Sequence, residues 1–117
     1  MTTAIVDTGA EMTNVTLSLF RQLGLAAATF VRQSGVGGES GGEPPPAGRA
    51  RVSVIDADDR VHFWDEITVV AGFSGAEGDR IRCLLGMDVL RHAQLTLEGP
   101  TRSGRLELPG FDDRSSP

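Results

Sequence analysis

In this sequence of 117 residues, the run Asp7-Thr8-Gly9 is the first that is suited to chemistry. The residues just before the carboxylate, Ile5 and Val6, are β-branched, so they predict a strand that ends at Asp7. Gly9 allows the backbone to turn tightly behind that strand. This arrangement would hold a carboxylate at a strand-to-loop junction. Taken alone, however, the motif indicates a structural turn, because Asp and Gly are common turn residues.

A second stretch, Cys83 to Leu90, changes that interpretation. It consists of an apolar strand, a glycine and the start of a short helix, in the order Cys-Leu-Leu-Gly-Met-Asp-Val-Leu. With the first motif, it resembles the retropepsin-like aspartic protease family. In that family a hydrophobic-hydrophobic-Asp-Thr-Gly-Ala motif precedes a Leu-Leu-Gly-x-Asp-x-Leu motif, with a glycine-rich flap between them. The resemblance extends from about Ala4 to Leu108. It is nearest to cellular and bacterial members, which carry Gly-Met/Leu-Asp in place of the retroviral Gly-Arg-Asn/Asp.

The resemblance implies a mainly β, single-lobed, closed barrel-like fold with one or two short helices. We expect residues 1–109 to form this domain and residues 110–117 to form a flexible tail. Family members normally have one or two strands ahead of the first motif, whereas only residues 1–3 precede this strand. The N-terminal strand is therefore expected to be missing or truncated.

The resemblance also implies the activity, an aspartic-type endopeptidase that cleaves extended peptides or proteins. Each chain supplies one Asp-Thr-Gly motif, so the second carboxylate would come from another copy in a homodimer. Water is the nucleophile, and no cofactor or metal is needed. The expected catalytic residues are Asp7, Thr8 and Gly9; the substrate-binding residues are Ala10, Gly35, Val36, Gly37 and Gly38; the supporting residues are Leu84, Leu85, Gly86 and Asp88.

The glycine-rich segment from Gly35 to Gly42 has two interpretations. It is either a plain surface loop or the tip of a mobile β-hairpin flap, because it falls where the family has its flap. Glycines would let its backbone approach an extended peptide. A phosphate-binding loop is disfavoured, since the spacing is wrong, no Lys-Ser/Thr pair follows and two glutamates, Glu39 and Glu43, lie within or directly beside the segment.

Other reactive side chains have structural interpretations. Asp88 either caps its helix or has a role at the site. Cys83 is expected to be a small buried residue and not a nucleophile, because the sequence places no His partner beside it. The cluster of Asp56, Asp58 and Asp59 lacks calcium-loop spacing and predicts a solvated turn. His62 and His92 lie on different predicted elements and do not make a zinc site.

Composition limits the other classes of function. The net charge of −5 argues against a nucleic-acid partner, because phosphate neutralisation needs clustered Lys and Arg. No run approaches the roughly 20 apolar residues of a membrane span. One cysteine cannot form an internal disulfide, and the first residues do not resemble a signal peptide. We therefore expect a cytoplasmic protein or a piece of a longer polypeptide.

Periodicity and turn residues predict the remaining elements. A helix is expected over residues 16–23, with Thr13 or Asn14 as its N-cap and Gly24 as its stop. Its core-facing residues would be Leu17, Phe20, Leu23 and the following Leu25. We expect strands over residues 26–33, 49–56, 61–70 and 81–85, a helix over 88–92, and a closing hairpin from 94–98 and 105–108.

Two rival functions stay open at this level. The first is a non-catalytic module that keeps a retropepsin-like fold for dimerisation or peptide binding. The second is a small β domain in which Asp7 is only a turn residue, which the second motif disfavours.

Overall fold

A computed structural model of the chain describes residues 2–32, 43–78 and 80–108. Within these ranges the chain forms eight strands and two short helices, which confirms the predicted mainly β class. In chain order they are β1 (Thr3–Val6), β2 (Asn14–Val15), α1 (Leu17–Gln22), β3 (Thr29–Phe30), β4 (Pro46–Ile55), β5 (Val61–Val70), β6 (Ile81–Leu85), α2 (Met87–Leu90), β7 (Gln94–Glu98) and β8 (Ser103–Glu107). The predicted tail over 110–117 lies outside the described residues.

Six of these strands form one sheet in the order β1-β6-β2-β5-β4-β3, and β7 pairs with β8 in a separate hairpin. Strand β1 runs parallel to β6, while β2 lies between β6 and β5, antiparallel to the first and parallel to the second. In this strand order of the described residues, β1 and β3 lie at opposite ends, and the barrel-like closure that the resemblance implies is not seen. The order places the strand that leads into Asp7 beside the strand of the second motif.

The hydrophobic core lies where both helices pack against the middle of the sheet. Its buried members come from β2, α1, β5, β6, α2 and the residue after β5: Val15, Leu19, Phe20, Trp64, Val69, Ala71, Cys83, Leu85, Val89 and Leu90. Cys83 is buried as predicted, and burial raises the pKa of its thiol, which keeps the sulfur protonated and inert at neutral pH. Both motifs of the sequence are therefore attached to the packed part of the molecule.

Helix α1 differs from its prediction in its cap and its buried face. Thr16 is the N-cap, and its hydroxyl accepts a hydrogen bond from Leu19 N at 3.2 Å. Thr13 and Asn14 were predicted for this role, but they lie in the chain segment that enters the sheet. The helix buries Leu19 and Phe20, whereas Leu17 and Leu23 are exposed by 38% and 57%. Since the helix is one residue shorter at each end than predicted, its buried stripe is narrow.

The other elements differ from their predictions mainly at their ends. The segment predicted as a strand over 26–33 pairs only at Thr29 and Phe30, as an edge strand with the Phe30 side chain 62% exposed. Strand β4 begins earlier than predicted because its first residues pair with β3. A Cβ on Gly48 would lie 2.5 Å from the carbonyl oxygen of Ala26, so this close crossing of two chain segments requires glycine.

The turn between β4 and β5 is built around Asp56. Its Oδ1 accepts hydrogen bonds from the backbone N–H groups of Asp58 and Arg60 at 2.8 and 2.9 Å. Its Oδ2 lies 2.8 Å from Nε2 of the buried His62, and Asp59 has a left-handed φ of 62°. The prediction of a turn for the acidic cluster is therefore confirmed, and Asp56 organises it.

The carboxylate of Asp56 makes the stability of this hairpin depend on pH. Hydrogen bonds from His62 and the Arg60 amide hold the pKa of Asp56 below its usual value of 3.8, and burial opposes them weakly. A lowered folded-state pKa stabilises the fold above pH 3.8, and this contribution is lost as the pH falls through the folded-state value. We expect Asp56→Ala to lower the urea midpoint at pH 7 and to lower it less at pH 3.

The matched control for this prediction is Asp58→Ala, which removes a carboxylate from the same turn. Asp58 enters the network through its backbone N–H, which alanine retains. Its midpoint should differ little from the wild-type value at either pH. An equal loss for Asp56→Ala at pH 7 and pH 3 would contradict the proposed origin of the effect.

The helices of the described residues are short, six residues in α1 and four in α2. None of the helices in these ranges is long and apolar enough to cross a membrane.

Candidate active site

The two motifs of the sequence meet through the parallel pairing of β1 and β6. Ile5 pairs with Leu84 and Val6 pairs with Leu85. The ladder continues one step beyond the strand, where Asp7 N donates to Leu85 O at 3.0 Å. Leu85 is buried and Leu84 half-buried, so an apolar strand fixes the backbone at Asp7 from one side. The pairing places the Asp7 side chain at the point where β1 leaves the sheet.

The Asp7 carboxylate is oriented by the turn that follows it. Gly9 N donates to Asp7 Oδ1 at 2.9 Å, and Ala10 N donates to the Asp7 carbonyl at 3.3 Å. Asp7 is half-buried, whereas Thr8 and Gly9 are exposed. A Cβ on Gly9 would lie 3.3 Å from Asp7 Oδ1, so even alanine there would press on the carboxylate. The turn therefore holds one carboxylate oxygen and leaves the group accessible from the surface.

Gly86 is the point where the segment after Asp7 crosses the second motif. A Cβ on Gly86 would lie 2.4 Å from both C and O of Met12 and 2.9 Å from Met12 N. Any larger residue would collide with backbone atoms that have no rotamer to change. Gly86 is thus required by close approach of two backbones, since its φ of −96° is open to any residue.

The start of α2 is bonded to the loop that follows Asp7. Met87 N donates to Ala10 O at 2.7 Å, and Asp88 N donates to Glu11 O at 3.0 Å. The N-terminal N–H groups of a helix have no intrahelical partner, and here loop carbonyls satisfy two of them. Gly86, and not Asp88, occupies the N-cap position, and it makes no side-chain cap hydrogen bond.

The Asp88 carboxylate instead binds Thr13. Thr13 N donates to Asp88 Oδ2 at 3.0 Å, and Thr13 Oγ1 donates to Asp88 Oδ1 at 2.8 Å. Thr13 Oγ1 also accepts from Gly86 N at 3.2 Å. Thr13 is 1% exposed, and our sequence reasoning missed it as a site residue. No local pattern identifies a partner 75 residues away, although its place six residues after Asp7 is a weak signal.

The structure brings most of the predicted site residues together. Asp7, Gly9 and Ala10 lie in one turn, and Leu84, Leu85, Gly86 and Asp88 contact that turn or the segment after it. Thr8 is exposed at the tip of the turn, where its predicted role depends on a second chain. The predicted flap residues Gly35, Val36, Gly37 and Gly38 lie outside the described residues. Within the described ranges, no group of three or more His, Cys, Asp or Glu could hold a metal ion.

Comparison with known proteins gives one structural likeness. No protein-family model matches the chain, and no curated protein matches it at a significant level. The chain is similar to a crystal structure of a retropepsin-like aspartic protease from Rickettsia conorii, with a TM-score of 0.48 and 18% sequence identity. The alignment covers 87% of this chain and 72% of that chain.

Proposed function

We propose that this protein is an aspartic endopeptidase that hydrolyses peptide bonds with a water molecule activated by two Asp7 carboxylates across a homodimer. The observation that carries this proposal is the accessible Asp7 carboxylate, held at a strand-to-loop junction by Gly9 N. Further support comes from the second motif, whose backbone fixes Asp7 through Leu85.

Peptide hydrolysis of this type needs one carboxyl group with a proton and one without. Two carboxyl groups in contact cannot both ionise, so they share a proton, as in the aspartic protease dyad that is the standard example. The ionised member takes a proton from water while the protonated member donates to the scissile carbonyl. The product is a tetrahedral intermediate, whose collapse releases the amine and the acid.

The residues around Asp7 have distinct roles in this mechanism. Gly9 N fixes the direction of the carboxylate, and its absent side chain leaves room for that contact. Thr8 would hydrogen-bond across the dimer beneath the dyad. Ala10 is small enough to leave the cleft open to an extended peptide. The flap remains a prediction for residues 35–38.

The homodimer can be tested by mixing chains with and without the carboxylate. At a 1:1 ratio of wild type to Asp7→Asn, random pairing places about half of the wild-type chains in mixed dimers with one carboxylate. We expect the activity per wild-type chain to fall by about half, and sedimentation to show dimers at active concentrations. Full activity of a sedimenting monomer, or no loss on mixing after exchange of subunits, would rule out the shared dyad.

The general test is cleavage of a peptide library by purified protein from acidic to neutral pH, with Asp7→Asn in parallel. Cleavage that depends on Asp7 is the result we expect. Peptide binding without cleavage in either protein would favour the non-catalytic module instead.

A further inference from the structure

We infer that Thr13 is the positioning residue that sets the Asp7 carboxylate by tying the segment after it to Gly86 and Asp88. This inference rests on the proposed proteolytic function. It concerns a residue that neither motif includes, since Thr13 lies three residues after Ala10, the last residue of Asp-Thr-Gly-Ala. The hydroxyl group of Thr13, and not only the volume of its side chain, is needed for catalysis.

All the hydrogen-bonding groups of Thr13 have partners. Its N–H and hydroxyl donate to the two oxygens of Asp88, and its hydroxyl accepts from Gly86 N. Its carbonyl accepts from Val70 N at 3.1 Å. At 1% exposure, water cannot replace a lost partner, so each bond constrains the backbone at this position. One threonine thus links the end of β5 to the start of α2.

The segment from Asp7 to Thr13 is attached to the second motif at both ends. At its start, Asp7 N bonds Leu85 O, and at its end Thr13 bonds Gly86 and Asp88. Bonds to the carbonyls of Ala10 and Glu11 hold its middle. Gly9 N, which fixes Asp7 Oδ1, lies between these attachments. A shift at Thr13 is therefore transmitted to the group that orients the carboxylate.

The hydroxyl oxygen of Thr13 is central to the attachment between this segment and the second motif. It bridges Gly86 N at 3.2 Å and Asp88 Oδ1 at 2.8 Å. Asp88 Oδ1 also accepts from Val89 N at 2.9 Å, which ties the carboxylate to its own helix. Without the hydroxyl, the buried Gly86 N loses its partner and Asp88 Oδ1 loses one of its two, so we expect the attachment of the two backbones to loosen.

The test compares Thr13→Val with Thr13→Ser. Valine keeps the branched shape and removes the hydroxyl, whereas serine keeps the hydroxyl and removes a methyl group. We expect Thr13→Val to lower kcat by about 10- to 100-fold, because small displacements of catalytic groups have effects of this size. KM should change less than about twofold, since a group needed only in the transition state affects kcat. Thr13→Ser should retain kcat within about threefold of the wild-type value, because its hydroxyl can still bridge the two partners.

A second variant reaches the same attachment from the other side. Asp88→Ala removes both oxygens that accept from Thr13, at 3.0 Å from its N and 2.8 Å from its Oγ1. It should reproduce the selective loss of kcat, which keeps the test valid if Thr13→Val does not fold. All assays are made well below the unfolding midpoints of the variants. A wild-type kcat in folded Thr13→Val, or equal loss in Thr13→Val and Thr13→Ser, would overturn the role of the hydroxyl.

An NMR measurement separates this inference from the proposed function. The Gly9 amide resonance reports its hydrogen bond to Asp7 Oδ1. We expect it to shift in Thr13→Val and to stay near its wild-type position in Thr13→Ser. If the wild-type protein cleaves no peptide, the proteolytic function fails, while a Gly9 shift still supports the coupling from Thr13. A Gly86 resonance that moves without any change at Gly9 would refute the coupling.

Discussion

Asp7→Asn is expected to abolish peptide cleavage and to leave the fold intact. Asparagine is nearly the same size as aspartate, and its Oδ1 can still accept the hydrogen bond from Gly9 N that is 2.9 Å long in this structure. It cannot carry the negative charge that removes a proton from water. The change therefore affects chemistry and spares the turn.

The expected loss of activity is large because one substitution alters both halves of the dyad. General acid–base catalysis by one positioned group contributes roughly 10²–10⁴ in rate. In a homodimer both the acid and the base disappear, so we expect turnover to fall by at least that factor. The fold and the dimer should be as stable as in the wild type or slightly more stable, because two close carboxyl groups no longer need to share a proton.

The measurement is turnover of one peptide at the pH where the wild type is most active, with circular dichroism and sedimentation as checks on folding and assembly. Asp58→Asn is a matched control, because it makes the same chemical change at an exposed turn residue. It should cleave at the wild-type rate. Undiminished cleavage by a well-folded Asp7→Asn dimer would refute the catalytic assignment.

Gly86→Ala is expected to be among the most destabilising single substitutions in the chain. The added Cβ would meet Met12 C and O at 2.4 Å, so backbone must move at the crossing of the two motifs. Overpacking of this kind costs about 3 kcal/mol at the upper end of the usual range. The free energy of unfolding of a typical domain is roughly 5–15 kcal/mol, so the loss is a large fraction of the total.

Urea unfolding of Gly86→Ala beside Gly99→Ala tests this prediction. A Cβ on Gly99 would have no heavy atom within 4 Å, and the change should stay within about 0.5 kcal/mol. Peptide cleavage should fall in the folded fraction of Gly86→Ala as well, because the segment after Asp7 is displaced. Similar stability of the two alanine variants would show that the crossing of Met12 over Gly86 is looser than described.

The features that could be predicted from the sequence are those determined by local patterns of residue type. Alternation of apolar and polar residues identified β5 with its observed ends, and the apolar run of β6 did the same. The two motifs predicted that Asp7 and Leu85 belong to one site, because the resemblance to retropepsin-like proteases depends on both motifs. These predictions depend on periodicity and on residue type at fixed spacing.

The features that were missed depend on contacts between distant segments. The helix at 17–22 is capped by Thr16, which directly precedes it, whereas Asn14 pairs in the sheet and Thr13 binds Asp88, 75 residues away. The segment around Phe30 is strand-like in composition, but among the described residues its ladder pairs with β4 are at Thr29 and Phe30. Local propensity does not determine either result.

The parallel pairing of β1 with β6 also determines when the site can form. Strand β1 ends at Val6 and its partner begins at Ile81, so most of the described chain separates them. Pairings between segments so far apart in sequence form slowly, because a long loop must close before any contact rewards it. A nascent chain that has been synthesised only as far as β5 lacks Leu85, whose carbonyl accepts the hydrogen bond from Asp7 N. During synthesis, the pairing that holds Asp7 can therefore form only after β6 has emerged from the ribosome.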